Sequence, residues 1–577
     1  MNKDIIVGID LGTTTSEACV YTGNRYQHIK ERGDNIVVPS VVGWDKDSQS
    51  IIAGTIAHNK AKGNPDDYVY WVKRSMGSNE SFKLGSEVLT ASEVSSHMLR
   101  HIKEYCEEHY AEQINRAVIT VPANFNNNQR QDTKRAAEMA GFTVERIIAE
   151  PTAAALAYCM ENTSENEFVK VMVYDLGGGT FDVSVGEFHM GVLDIKGAAG
   201  DNKLGGSDFD VAIAEVFLGE LLEKHGIDFR SDAFAYRTLL RECEALKKEL
   251  SFQTSSSINI PFLAAHDGKP VGLSQTFTRE QFEDLIRPDI ERTSKAISEA
   301  LKSAGYKPND IDLVLLVGGS TRIPLVKAAV KKTMRKEAKS DIDPDLAVSL
   351  GAAMQAAIIA GESEGVIMDI VAQSFGTSAV QDYNGQLIPG FYSEIIPANS
   401  PQLKPFPGHF FTVFENQEEV DFEVYQKPSM VESIWANDCD LLGSKTVGGI
   451  PKNTAGKESI TATYTYNLNG IIEVTILIDS TGKSVSFEID ANSSTSRPEN
   501  QQRGAGNETE ALDWESHDLA KKYGSTIRLV QKKLEQVENK NLDVKMHELT
   551  KAICSDNSSA CENLDDELND ILFELEE

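Results

Sequence analysis

The sequence predicts a multidomain protein in which a large α/β region is followed by a β-sandwich-like region and a short α-helical carboxyl-terminal part. Three patterns predict it. Short β-branched runs alternate with helical patterns over residues 1–361, as layered α/β structure requires. Period-two alternation with turn signals covers residues 370–490. Apolar residues recur at helical spacing beyond residue 510. A length of 577 residues leaves room for about four units at roughly 150 residues each.

Within residues 1–361 the runs IIVGID, AVITVP, VMVYDL and LVLLVG are the strands of the α/β layers. Residues 362–369 follow as a hydrophobic interdomain linker, because Val366-Ile367-Met368 is apolar between acidic, glycine-containing flanks. Residues 370–490 alternate as in Val420-Asp421-Phe422-Glu423-Val424 and Val485-Ser486-Phe487-Glu488-Ile489, with Asn469-Gly470 and Thr481-Gly482 as turns. Residues 491–510 lack any large apolar side chain, so burial cannot offset their ordering entropy and a flexible tether is expected. Residues 511–577 carry two helical stripes, Leu519, Tyr523, Ile527, Val530, Leu534 and Val537, then Leu564, Leu568, Ile571, Leu572 and Leu575.

Composition narrows the function classes. Lys+Arg 56 against Asp+Glu 88 gives a net charge of −32, which repels nucleic acid and anionic membranes. The 7 cysteines are scattered without a CxxC pair, which argues against both a disulfide framework and a zinc site, and for a reducing compartment. Asp4 and Asp10 bracket too short an apolar run for a secretory signal, and Gly351–Gly361 is far shorter than the roughly 20 apolar residues a bilayer span needs. A cytoplasmic location is expected.

One chemical device occurs twice. IIVGID ends at Asp10 and enters Leu11-Gly12-Thr13-Thr14-Thr15, while VMVYDL runs through Asp175 into Gly177-Gly178-Gly179-Thr180. Glycines let backbone N–H groups approach phosphate oxygens, threonine hydroxyls add donors, and an aspartate at the strand end can hold a hydrated metal ion. A carboxylate and a phosphate about 4 Å apart repel by about 4 kcal/mol at an effective dielectric near 20. A divalent cation must therefore mediate, and Mg²⁺, which keeps several waters, suits the pattern. A third glycine turn, Gly318-Gly319-Ser320-Thr321-Arg322, follows LVLLV and is placed to receive a nucleoside end.

Other motifs fail. Gly482-Lys483-Ser484 resembles the end of a Walker loop, but Leu477 stands where its first glycine belongs, so a hairpin turn is expected. Gly177-Gly178-Gly179 lacks the spacing of a dinucleotide fold. His97 and His101 fall at i, i+4 without the glutamate of a zincin, which leaves a solvated helix face.

The ordered set GIDLGTTTS, VPANFNNNQRQDTKRAAEMAGF, EPTAAALAY, YDLGGGTFDVS, AGDNKLGGSDFD and VGGSTRIP resembles the 70-kDa heat-shock chaperone family, the DnaK type in particular. The resemblance implies a two-lobed actin-like ATPase domain followed by a peptide-binding β domain. By it, Gly12, Thr13, Thr14 and Thr15 match the first phosphate loop, and Gly178, Gly179 and Thr180 the second. Asp10 and Asp175 would position hydrated Mg²⁺, Lys73 would orient the attacking water, and Glu150 and Asp182 would complete the catalytic cleft. Glu244, Lys247, Lys248 and Ser251 fall at i, i+3, i+4 and i+7, spacing that by itself reads as a solvated helix face. The resemblance turns that face toward ribose and adenine of ATP or ADP, with Gly319, Ser320, Thr321 and Arg322 opposite. Pro122 and Arg130 resemble a relay to the second domain.

The implied activity is ATP hydrolysis that controls capture and release of extended apolar segments of unfolded polypeptide, with a J-domain co-chaperone and a nucleotide-exchange factor as partners. Two features depart from the family. The segment TSAVQDYNGQLIPGFY is longer than the family's cleft loop, opposite Phe414-Glu415-Asn416-Gln417, and a tether precedes the carboxyl-terminal helices that would form a lid. These departures support the alternative of an ATP-gated scaffold or co-chaperone with little folding activity. A filament-forming or sugar-phosphorylating relative would need neither the β domain nor the linker.

Overall fold

A computed structural model describes residues 5–489, apart from short internal segments, and scattered residues of 526–568. The chain divides into two compact units, Met1–Thr495 and Ser496–Glu577.

The α/β part of the first unit is built on two mixed sheets of the same design. In the first, Ile6–Leu11 runs parallel to Arg116–Val121 on one side and turns into the antiparallel Thr15–Thr22 on the other, with Arg25–His28 beyond and Thr143–Ala149 at the far edge. In the second, Val169–Leu176 runs parallel to Leu313–Val317 and antiparallel to Phe181–His189, with Val192–Asp201 beyond. A common core joins the sheets. The alanine-rich helices Glu150–Asn162 and Ala347–Ile359 pack there with Ile6, Val118, Val171 and Leu315. Small residues permit the crossing, since a Cβ at Gly351 would lie 1.9 Å from the Ala153 carbonyl oxygen.

The predicted linker is a strand. Val366–Met368 pairs in parallel with Val192–Asp194, so Ile367 is buried while Val366 and Met368 are exposed. Residues 370–489 then form two four-stranded antiparallel sheets around a core that includes Phe375, Val424, Tyr464 and Ile476. The sequence-predicted turns occur at Asn469-Gly470 and Thr481-Gly482, with Gly470 at φ 69° and Gly482 at φ 71°. TSAVQDYNGQLIPGFY is not a long loop, for most of it is the hairpin Ser374–Tyr383 with Gln386–Ile396.

The β sheets rest on the α/β part through polar contacts. Asn127 N–H donates to Gln426 Oε1 at 3.0 Å, Ile472 N–H to Asn127 Oδ1 at 3.2 Å, and Ile147 N–H to Asn469 Oδ1 at 3.2 Å. Gln131 donates to the Ile489 carbonyl. Arg130, buried, donates to the Phe125 and Ala123 carbonyls, and a Cβ at Gly470 would touch its guanidinium.

In the second unit Ile527, Val530, Leu542, Leu549, Ile553, Cys561 and Leu568 are buried together, with Leu564 against them. They include parts of both predicted stripes. The expected tether, 491–510, and Leu519, Tyr523, Leu534, Val537, Ile571, Leu572 and Leu575 lie outside the described residues. Among the described residues no helix is long and apolar enough to cross a membrane, and Cys19, Cys106, Cys159, Cys243, Cys439 and Cys561 are buried.

Candidate functional site

The two glycine-threonine loops face each other where the sheets meet. Each begins at the carboxyl end of a strand whose other end is in the core, so the fold delivers both loops to one cleft. A Cβ at Gly178 would lie 2.4 Å from the Thr14 side chain, and one at Gly179 would lie 2.5 Å from that of Thr13. Only glycine permits that approach. The second loop is tied from behind, its carbonyls accepting from Gly206 N–H and Ser320 Oγ at Gly177, Ser207 N–H at Gly178, and Arg74 at Gly179. Thr180 is buried beside it, while Ser40 N–H bonds the Thr14 carbonyl and Ser40 Oγ the Gly12 carbonyl.

Lys73 is 3 % exposed and forms an ion pair with Glu150, at the start of the central helix. Around this lysine stand Asp10, Glu150, Asp175 and Asp182, all with depressed acidity because burial penalises their charge. Burial, opposed by Lys73, raises the Glu150 carboxyl to about 7. Burial raises Asp182 to about 6 even though Asn124 donates to it from its backbone N–H at 3.1 Å and its Nδ2 at 3.0 Å. Asp175 is pushed well above the ordinary range by burial and by Glu150 and Asp182; Asp10 is raised by burial against Lys73 and a 2.7 Å bond from Thr120 Oγ1. Several buried carboxyl groups around one ammonium make an oxygen-rich pocket whose groups an incoming cation would ionise, and hard oxygen donors of this kind suit Mg²⁺. Among the described residues no three acidic, His or Cys side chains form a direct ligand set.

The remaining predicted residues divide. Glu244, Lys247 and Lys248 lie on the helix Ala233–Leu250, and Ser251 caps its end instead of extending the face. Lys247 is buried, paired with Asp210 at 2.7 Å and donating to the Gly206 carbonyl at 2.8 Å, whereas Lys248 pairs with Glu244 at 2.7 Å. Glu244 lines a small cavity with His58, Trp71, Asp210 and Arg241. Gly319–Arg322 forms a short 3₁₀ turn, in which Arg322 is held by Asp343 and Asp345 at 2.9 and 2.8 Å. The expectation for His101 is corrected. Its Nε2 lies 2.6 Å from the buried Glu31 carboxylate, so that end of the helix face is packed instead of solvated.

Sequence reasoning missed residues that work between elements. Arg74, next to Lys73, reaches both the Gly179 carbonyl and Asp208, bridging the first sheet's half to the second. Asn124 donates to Asp182 while its own carbonyl accepts from Gln373 Nε2 at 3.2 Å, so one residue joins the cleft to the β sheets. Glu17 lies across the hairpin from Asp10, buried and with a carboxyl pushed well above the ordinary range by burial and by Asp10. Only Glu17 had a legible signal: Asp-x6-Glu from Asp10 repeats the spacing of Asp-x6-Asp from Asp175.

Twin strand-loop-strand units closing on a lysine–carboxylate pair define a cleft suited to a cation-bound phosphoanion. A comparison with protein-family models agrees with the motifs that line it. The model described as Hsp70 protein matches residues 6–83 and 79–576. The chain belongs to the Hsp70 family, whose members are nucleotide-binding ATPases.

Proposed function

We propose that the protein is an ATP-dependent molecular chaperone. In this reading residues 1–361 form a two-lobed actin-like ATPase domain, 362–369 the linker, 370–490 a peptide-binding β domain, and 511–577 a lid-like helical region behind the 491–510 tether. The reading is carried by the meeting of the two glycine-threonine loops at the buried Lys73–Glu150 pair in a chain of this family. Bound Mg²⁺ would neutralise phosphate charge, with Asp10 and Asp175 holding its waters. Gly12 to Thr15 and Gly178 to Thr180 grip the phosphates. Lys73, aimed by Glu150, orients the attacking water, and Asp182 completes the polar wall around it. Phosphoryl transfer needs such positioning and charge stabilisation more than covalent chemistry. Glu244, Lys247, Lys248 and Ser251 face Gly319 to Arg322 around the nucleoside.

Hydrolysis controls a β domain that holds extended apolar segments of unfolded polypeptide, with J-domain and nucleotide-exchange co-chaperones as partners. Support for the coupling comes from Asn124, bonded to both Asp182 and Gln373, and from Ile367 in the edge of the second sheet. Such linkage typically amounts to about 1–3 kcal/mol. The test is the dissociation rate of a fluorescent apolar peptide, which should be about 5- to 150-fold faster with ATP than with ADP. Equal rates would refute the reading. Ile367→Asp, which puts a charge into a buried position, should erase the difference while leaving nucleotide binding in calorimetry intact.

A further inference from the structure

The two hairpins share more than their loops. Asp10 pairs across its hairpin with Glu17, and Asp175 pairs across the other with Asp182, both at a spacing of 7 residues. Cross-strand partners project to the same side of a sheet. Thr120, on the strand parallel to Ile6–Leu11, donates to Asp10 from the other side, so Thr120, Asp10 and Glu17 form a row across three neighbouring strands. Glu17 is 2 % exposed, its carboxyl interacts with Asp10 and Thr15, and its Oε1 is buried without a hydrogen-bond partner. Asp182, its counterpart, is satisfied by two bonds from Asn124. A buried carboxylate oxygen left without a donor costs free energy unless something positive reaches it.

We propose that Glu17 is a cation-binding residue that, with Asp10, forms a carboxylate pair on the first hairpin holding a hydrated divalent cation. The inference rests on the ATPase reading above and adds to it a residue that its phosphate loops and lysine do not include. Glu17 supplies a second carboxyl beside Asp10 and an acceptor for a cation-bound water. Residues that orient a metal's immediate partners typically contribute 10- to 100-fold to affinity.

The test uses Mn²⁺ as the probe, titrated into the full chain with saturating ADP and followed by electron paramagnetic resonance. Wild type should bind Mn²⁺, Glu17→Gln should bind it about 10-fold more weakly, and Glu17→Asp, which keeps the carboxyl, should retain most of the affinity. Thermal melts establish that each variant is folded. Unchanged Mn²⁺ affinity in Glu17→Gln, or equal losses in Glu17→Gln and Glu17→Asp, would overturn the inference and leave the ATPase reading standing. Failure of the wild type to bind Mn²⁺ with ADP would instead bring down that reading and the inference together.

Discussion

The first and second hairpins have equivalent strand order, each a parallel neighbour and each a facing pair of acids, Asp10 with Glu17 and Asp175 with Asp182, yet their loops are filled differently. The first carries Thr13, Thr14 and Thr15 after one glycine; the second carries Gly177, Gly178 and Gly179 before one threonine. The threonine side chains of the first occupy the space that the second leaves empty, at 2.4–2.5 Å from where Cβ atoms would stand. Two copies of a bulky loop could not meet, and two copies of a bare one would leave a gap. Complementary filling lets two units of one design close upon each other.

Removing the element that neither hairpin supplies should have the largest effect. Lys73→Ala is expected to lower the ATP hydrolysis rate by about 100- to 1,000-fold in single turnover, the range for losing one electrostatic contact to the transition state, with ADP affinity nearly unchanged. A rate close to wild type would assign Lys73 a purely structural pairing with Glu150. The complementarity itself is sharpened by Gly179→Val, whose side chain would collide with Thr13. Overpacking of this kind costs about 1–3 kcal/mol, so calorimetry should find ADP bound about 10- to 100-fold more weakly, with Thr13→Ser in the same background restoring little. Affinity like wild type would mean the loops separate freely.

A third comparison sets the acids of the two hairpins against pH. Asp182 has its carboxyl raised by burial to about 6 from an ordinary 3.8, so folding takes up a proton. Its stabilisation is complete below pH 3.8 and is lost as pH rises through 6. Asp182→Asn keeps an oxygen for Asn124 without the buried charge, and should raise the melting temperature of the nucleotide-free protein at pH 8 but not at pH 4, with up to about 2–3 kcal/mol involved. A pH-independent difference would show that the carboxylate is not the cause.

Patterns local in sequence were legible. Alternation over residues 459–488 and the Asn469-Gly470 turn specify an antiparallel meander whose period and corner are fixed by neighbouring residues. The two glycine-threonine loops were legible as turns for the same reason, as glycine declares a backbone's freedom wherever it stands. Ser251 was placed one residue too far into its helix, because spacing cannot tell a last turn from a cap. His101 was misjudged because its partner, Glu31, lies 70 residues away. Asn124 and Arg74 carried no signal at all, since each takes its meaning from elements that chain distance hides.

The sequence by itself determined the strands, the loops that end them, the apolar triplet Val366-Ile367-Met368 and the family to which the chain belongs, because each is written in contiguous residues. Only the tertiary structure decided that Thr13 and Thr14 meet Gly179 and Gly178, that Lys73 reaches Glu150, and that Asn124 touches the cleft and the β sheets at once. Those outcomes depend on burial and on distances of a few ångströms between segments far apart in the chain. Local propensity and periodicity carry no information about either.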